Sequence, residues 1–413
     1  MKSTNITNES DFNARCQLLI KVGQAAHKYG STSARIERYL QSVSVSLGLK
    51  GAFKVTPTEM IFAFELGNNQ PQRVHMSTLA FGGLDLDKLA CVGELVDDVI
   101  KGSLSIASAS EQLDVIANKK VPWGTLAALM AYVGIGAGIA VLFSGSWWDA
   151  LFAALLSLVV FTMVQFSGRF FQRAADWLPL STAFVAAVLA SCAKFFIPEL
   201  NIVLVILSAV IILVPGYGIS LGIAELVVQK TASGLANFMN GIVYLFKQFI
   251  GAWLGAVVVA SLLPIASTPN GTPVDTLWLW VFMPVIIAGL CIVFQTARRD
   301  FVWSSLSCLI AYSGILLGSA MLGNNLGNFL GTVLVVMYAN IWARKTGRPN
   351  SIVLIPSIVL LVSGSIGFRG LASMAQGQTA LGEQQIMQMG MVALTIVAGI
   401  LIGNTIVKSE ATL

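Results

Sequence analysis

At Lys119-Lys120 the chain changes character: about 120 residues of mixed polarity precede it, and nearly 300 that follow are dominated by long apolar stretches. A helix needs roughly 20 apolar residues to span the hydrocarbon core of a bilayer. About ten such stretches lie between Trp123 and Val407, near 123–143, 149–168, 179–196, 201–218, 240–262, 277–297, 301–321, 326–343, 350–366 and 385–406. With 56% hydrophobic and 11% charged residues, a soluble globule would leave too much apolar surface in water. The expectation is a polytopic α-helical membrane protein behind a small soluble segment.

Lys and Arg concentrate in cytoplasmic loops, which tests the count. Starting inside at Lys119 and Lys120, the inside loops carry Arg169 and Arg173, then Lys230, Arg298 and Arg299, Arg344, Lys345 and Arg348, and last Lys408. The outside loops 144–148, 198–200, 264–276 and 323–325 carry none; Lys194 and Arg369 are the exceptions. Ten spans with both termini cytoplasmic, in the plasma (inner) membrane, fit this pattern. The first residues, Met1 to about Thr7, lack an apolar core, so no cleavable signal peptide is expected. The net charge of +5 sits at membrane flanks and implies no nucleic-acid partner. The five cysteines show no metal-ligand spacing and read as packing residues, and neither a metal nor a cofactor is expected.

The membrane part repeats itself. A shift of 148 lays 205–216 over 353–364, Thr231 over Thr379, Gly234 over Gly382, Met239 over Met387, Gly251 over Gly399 and Gly255 over Gly403. A three-residue adjustment brings Gly138–Phe143 onto Gly289–Phe294. Five spans per copy is an odd number, so the copies enter the membrane from opposite sides, a build of secondary transporters that expose one site alternately. The division expected is 1–120, a cytoplasmic α+β domain; 121–268, the first five-helix repeat; and 269–413, the second.

In the soluble segment, Leu18, Leu19, Val22, Ala25 and Ala26 make one helical face, and Ile36, Leu40, Val43 and Leu47 a second. Ala52–Thr56 and Met60–Leu66 read as strands around Thr56-Pro57-Thr58, and Leu86 to Ile100 carries a third helical stripe. Ser108 and Glu111 predict a capping box before a last helix. His27 and His75, the only histidines, lack a nearby nucleophile, so catalysis is not expected. Arg35 and Glu37 stand two apart on a helix and point in different directions, with contact to the membrane half or a solvated face both open.

Polar groups inside a bilayer are functional suspects. Pro215 should break its helix, and Gly216 and Gly218 let the backbone approach a ligand. Substrate contacts are expected from Pro215, Gly216, Tyr217, Glu225, Gly364 and Arg369: Glu225 for an ammonium or the coupled proton, Arg369 for a carboxylate. Lys247 is a second coupling candidate, needing a partner, a wet cavity or a snorkelling path. Gln165, Asn237, Asn240, Gln248, Asn328, Asn340 and Asn404 read as helix-joining amides, and Asp149 and Asp300 as helix caps.

Several motifs together resemble the threonine/serine exporter family, in which an N-terminal soluble domain is fused to a ten-helix membrane domain. The soluble segment carries Gly30-Ser31-Thr32-Ser33-Ala34-Arg35-Ile36-Glu37, Thr56-Pro57-Thr58 and Gly82-Gly83-Leu84-Asp85-Leu86-Asp87-Lys88-Leu89. Val214-Pro215-Gly216-Tyr217, Glu225-Leu226 and Gly234 resemble the family's first membrane half, and Gly364, Arg369-Gly370 and Thr379 its second. The likeness runs from about Ala14 to Thr405; Ser363 stands where the family often has proline. The resemblance implies export of small hydrophilic metabolites driven by the proton-motive force: threonine and serine, or succinate in a related two-subunit form. A hydrolase-like activity proposed for the soluble domain finds no support in these residues. A dicarboxylate exporter is the alternative reading, followed by a membrane protein whose soluble domain is an enzyme; an intramembrane enzyme lacks a convergent set of groups, and a channel, which would not need inverted halves, stays open. The partners expected are a small-molecule substrate, protons and the lipid bilayer, with a homo-oligomer left open.

Overall fold

The computed structural model describes residues 9–65, 73–170, 174–264, 269–323, 326–361 and 364–408. The N-terminal segment, expected to be soluble and called the soluble segment below, runs α1 (Glu9–Lys28), α2 (Ser33–Ser46), β1 (Lys50–Val55), β2 (Glu59–Glu65), β3 (Arg73–Thr78), α3 (Leu86–Lys101) and α4 (Ile106–Asn118). Its antiparallel sheet has the order β1-β2-β3, with Phe53 opposite Phe62 and Phe62 opposite His75. β2 alternates, and Met60, Phe62 and Phe64 bury one face against α1 and α2. Gly23 of α1 lets the Phe62 ring approach: a Cβ there would sit 3.1 Å from it. The turn after α1 needs Gly30, at φ +101°, where a Cβ would meet Leu84 Cδ2 at 2.6 Å. The cap of α4 differs from the expectation at Ser108 and Glu111. Ser105 is the N-cap and accepts from Ser108 N at 3.2 Å, because the helix starts early enough for Ile106 and Ala109 to pack on the core.

The membrane part continues with α5 (Thr125–Leu142), α6 (Trp147–Phe170), α7 (Ala174–Phe196), α8 (Ile202–Val210), α9 (Gly216–Val227), α10 (Thr231–Leu262), α11 (Leu279–Val293), α12 (Phe301–Leu322), α13 (Gly327–Thr346), α14 (Ser351–Leu361), α15 (Gly364–Ala375) and α16 (Thr379–Ile406). Among the described residues eight helices are long and apolar enough to cross a membrane, α14 and α15 counting together; the α8–α9 pair, bent by 58°, makes nine. α13 has the length, but Asn328, Asn340, Arg344 and Lys345 dilute its apolar character. α10 and α16 begin at Thr231 and Thr379, well ahead of the apolar runs at 240 and 385. Their polar first turns are held by packing against the preceding short helices.

Helix contacts recur at repeat-related positions. A Cβ at Gly234 would lie 2.8 Å from Gly222 O, and one at Gly382 2.7 Å from Gly370 O. Gly251 and Gly255 lie against the carbonyls of Leu180 and Phe184, as Gly399 and Gly403 lie against those of Phe329 and Val333. Between α5 and α11 the contact is reciprocal: a Cβ at Gly138 would sit 2.6 Å from Ile286 Cγ1, and one at Gly289 2.7 Å from Ile135 Cγ1. Gly138 and Ile135 precede Gly289 and Ile286 by the same 151 positions, so the two contacts involve corresponding residues.

The soluble segment covers one end of the bundle. Leu86 N and Asp87 N, at the start of α3, donate to Phe294 O and Gln295 O past the end of α11, so the open ends of two helices satisfy each other. Glu94 pairs with Arg299 at 2.5 Å and with Arg348 at 3.2 Å. Trp123 Nε1 donates to Thr296 O at this same end. The 18-residue α5 then carries the chain about 27 Å to the opposite end, where Val274 N donates to Gly145 O and Gly271 N to Glu199 O.

The two aspartates expected as caps behave differently. Asp149 and Ser146 form a reciprocal capping box for α6, and Asp149 Oδ1 also accepts from Asn201 N at 2.7 Å, fastening α8 to α6. Asp300 caps nothing with its side chain: fully buried, it pairs with Arg348, because the α13–α14 turn brings that guanidinium over it. Asn340 hydrogen-bonds Asn404 and Asn350, joining α13, α14 and α16.

Candidate functional site

The polypeptide breaks where Val214-Pro215 stands. Pro215 has no N–H to continue the ladder and pushes Val214 into an extended conformation, with φ −67° and ψ 124°. α9 then restarts at Gly216 in a new direction. In the second half α15 starts at Gly364; Ser363 lies outside the described residues. The two restarts touch: a Cβ on Gly364 would lie 3.0 Å from Gly216 Cα, 3.1 Å from Gly216 N and 2.6 Å from Val214 Cγ1. The absence of a Cβ at Gly364 lets the two backbones cross so closely.

From this crossing α9 runs toward the soluble segment and α15 runs away from it. The α9–α10 turn meets α2: Lys230 pairs with Glu37, which also accepts from Val55 N at 3.0 Å, and Ser233 Oγ lies 2.8 Å from Ser33 Oγ. The α15–α16 turn lies with the Asn201 and Asn270 loops at the other end.

A cavity lies on each side of the crossing. The one at the soluble-segment end has a volume of about 330 Å³ and is lined by α2, α9, α14 and α16, with Arg35, Tyr217, Ser220, Ser351 and Asn404 among its walls. Arg35 thus points into it while Glu37 faces Lys230. The opposite cavity, of about 400 Å³, is lined by Lys194, Asn201, Asn270, Arg369, Ser373, Gln376 and Gln385 with the Phe143 ring. The Arg369 guanidinium stacks 4.7 Å from the centroid of Phe143, and its Nε is unpartnered among the described residues. Lys194 Nζ donates to Leu200 O at 2.8 Å.

Glu225 lines neither cavity. It is 3% exposed beneath the α9–α10 turn, and its Oε2 accepts from Ser233 Oγ at 2.7 Å and Asn237 Nδ2 at 2.8 Å. Glu225 and Arg369 therefore lie on opposite sides of the crossing. Lys247 donates to Asp176 O at 3.1 Å in the first turn of α7, a snorkelling geometry. Sequence reasoning passed over the lining residues Ser220, Ser351, Ser373 and Gln385. One signal was present: Ser373 and Gln385 stand 148 after Glu225 and Asn237, and Ser373 Oγ donates to Gln385 Oε1 at 3.2 Å as Asn237 donates to Glu225.

Fold and cavities together define a polytopic helical membrane protein with a chamber toward each end of its bundle, one lined mostly by polar groups and the other by polar groups among aliphatic side chains. The ThrE family model for threonine/serine exporters matches residues 17–259, and the model "Threonine/Serine exporter, ThrE" matches residues 279–406. The chain belongs to the threonine/serine exporter family. It is 22% identical over 429 residues to a "Threonine/serine exporter" of Corynebacterium glutamicum, covering 98% of this chain and 84% of that protein. It is also 24% identical over 424 residues to a "Pheromone-regulated membrane protein 10" of Candida albicans, and 22% identical over 392 residues to the protein of that name from Yarrowia lipolytica. These alignments cover 95% and 90% of this chain but 38% and 32% of the fungal proteins, so the chain spans well under half their length. No solved structure matches the chain.

Proposed function

We propose that the chain is a secondary-active exporter of small hydrophilic metabolites, threonine/serine-type amino acids first among them, coupled to the proton-motive force by alternating access. The membrane part acts as two inverted five-helix units, 121–268 and 269–413, making ten crossings with α13 included, in the plasma (inner) membrane with both termini cytoplasmic. The observation that carries this reading is the pair of opposed cavities separated by the Gly216–Gly364 contact. The repeated glycine contacts and the opposite runs of α9 and α15 support the inversion. The Corynebacterium protein's name supports the substrate class.

Arg369, desolvated over Phe143 with a free Nε, receives a carboxylate in the outer chamber. Glu225 is the proton-carrying candidate: its Oε2 is held by Ser233 and Asn237 while its Oε1 has no partner among the described residues, so a proton there disturbs no hydrogen bond. A dicarboxylate is the second reading, favoured by the presence of Lys194 and Arg369 in one chamber. Counterflow in proteoliposomes with labelled threonine or labelled succinate, with and without a pH gradient, decides between them. The expected result is threonine exchange by the parent and its loss in Arg369→Gln. Exchange of neither substrate by the parent, or parental rates in Arg369→Gln at normal expression, would overturn the respective assignment.

A further inference from the structure

The chamber next to the soluble segment holds basic groups that do not come from the membrane part: Arg35 and, at its exposed rim, Arg38. Arg35 sits in the first turn of α2 and reaches into the cavity formed with α9, α14 and α16. It has no carboxylate partner among the described residues: Glu37, two positions on, is taken by Lys230 and Val55 N. Burial pushes the Arg35 guanidinium down to about 10, with Arg38 acting in the same direction and the neighbouring Tyr217 opposing, so it is still a cation at neutral pH. Arg35 is partly buried against the cavity wall, and a cation so placed with no counter-anion is under-compensated. An anionic ligand supplies that compensation.

Three further features converge there. The N-terminal amides of a helix lack intrahelical acceptors, and the N-cap Thr32 makes no side-chain capping bond to them. Thr32 and Gly30 both line the cavity. Across from them, Ser220 of α9 and Ser351 of α14, 2% and 3% exposed, each present a hydroxyl with no partner among the described residues, and both line the cavity. Asn404 of α16 adds an amide. Buried hydroxyls are rarely left unbonded, so these are groups waiting for a polar ligand.

We propose that the soluble segment supplies half of an inner carboxylate site. Arg35 and the first turn of α2 receive the carboxylate of a small metabolite, and Ser220, Ser351 and Asn404 receive its remaining polar groups. This rests on the transport reading and deepens it. The soluble segment becomes a working wall of the cytoplasmic chamber, and a carboxylate passes from Arg35 on one side of the Gly216–Gly364 crossing to Arg369 on the other.

The test uses the full chain in proteoliposomes of one orientation, with L-threonine and L-threoninamide as probes offered from either side. Losing a charge-assisted hydrogen bond corresponds to roughly a 10- to 100-fold change. Arg35→Gln should raise the half-saturating L-threonine concentration by about that factor from the soluble-segment side and leave the opposite side near parental. L-Threoninamide, which has no carboxylate, should bind parent and variant alike. Arg35→Lys should recover part of the loss, and Lys54→Gln on the exposed face of β1 should match the parent. Parental half-saturation in Arg35→Gln from both sides would overturn the inner site while leaving the transport reading intact. An equal loss from both sides, unrescued by lysine, would assign Arg35 a structural role and overturn it too. A parent that exchanges neither threonine nor succinate would remove the transport reading, and the site with it.

Discussion

Replacing Gly364 by alanine tests whether the backbone crossing is the barrier between the two chambers. The added Cβ would lie 2.6 Å from Val214 Cγ1, 3.0 Å from Gly216 Cα and 3.1 Å from Gly216 N. Carbon atoms sit at best about 3.5–4.0 Å apart, so the overlap is roughly 0.5–1 Å. The Val214 side chain can turn away, whereas the Gly216 backbone moves only if the whole of α9 shifts. Overpacking of this kind costs about 1–3 kcal/mol, which as a bias on a two-state equilibrium is roughly 5- to 150-fold. The expected outcome is a lower melting temperature in detergent together with slower threonine counterflow. Gly218→Ala is the control, since nothing lies within 4 Å of its added Cβ. The double variant Val214→Ala/Gly364→Ala should regain part of the loss, because it removes the shortest contact but leaves the two backbone ones. If Gly364→Ala melts and exchanges like Gly218→Ala, the crossing is not tight and the argument from it fails.

Asp149→Ala removes the α6 capping box and strands Asn201 N, and should destabilise by about 2–3 kcal/mol, read as a drop in melting temperature that Asn partly restores. The matched glycines Gly222 and Gly370 differ in how closely they are packed. A Cβ at Gly222 would meet Phe238 N at 2.5 Å, while at Gly370 the nearest atoms are 3.1 Å away. Gly222→Ala should therefore cost about 2–3 kcal/mol and Gly370→Ala less than about 1, and equal melting temperatures would contradict the geometry. In the soluble segment, burial raises the Cys16 thiol from 9.0 to about 11, with Arg73 opposing. The unfolded chain then loses this proton first as pH rises, so the contribution of Cys16 to stability is complete below pH 9 and disappears by about pH 11. Cys16 should resist maleimide at pH 8 until the protein is denatured, and labelling of the folded chain at the rate of a free thiol would refute this.

What the sequence displayed was whatever depends on hydrophobicity and on glycine or proline. The apolar runs appear as long helices and the break at Pro215 as the start of a new helix, and glycines that stand 148 apart make similar close contacts. What it hid depends on tertiary partners. β3 is an exposed edge strand with no buried alternation, visible only through its pairing with β2. The first turns of α10 and α16 are polar, and they are helical because Gly234 packs on Leu226 and Gly382 on Met374. Asp300 looked like a cap until Arg348, far along the chain, was folded over it. For the site, Glu225 and Arg369 were both expected to contact substrate, but whether one molecule can reach both depends on which way each short helix runs. They run apart. Arg35 drew notice through its motif, yet only the docking of α2 shows that it faces a chamber rather than solvent.

The repeat-related positions divide by chemistry, and the division has a mechanical sense under the proposed exchange of conformations. Gly216 and Gly364, Gly222 and Gly370, and Gly234 and Gly382 are matched, and they are the places where backbones touch. If the two halves trade shapes, each half must fit the other's packing, so these contacts have to be interchangeable. The charged groups are not matched. Glu225 corresponds to Ser373 and Arg369 to Leu221, although the hydrogen-bond frame around the first pair, with Asn237 or Gln385 as partner, is kept. A carboxylate at that position exists only at the soluble-segment end, and the Arg369 guanidinium exists only at the other. An exchange between two such halves is symmetric in motion and asymmetric in electrostatics. That asymmetry keeps the Glu225 carboxylate out of the chamber in which Arg369 would receive the substrate's carboxylate, so the proton carrier and the substrate do not compete for that guanidinium. Installing the missing acid in the second half by Ser373→Glu should set a carboxylate in the same chamber as Arg369 and next to Gln385. The substrate carboxylate then competes with an internal one, and half-saturation by threonine from the outer side should rise by about tenfold or more. A variant that folds and keeps parental outer half-saturation would show that Arg369 does not receive the substrate's carboxylate.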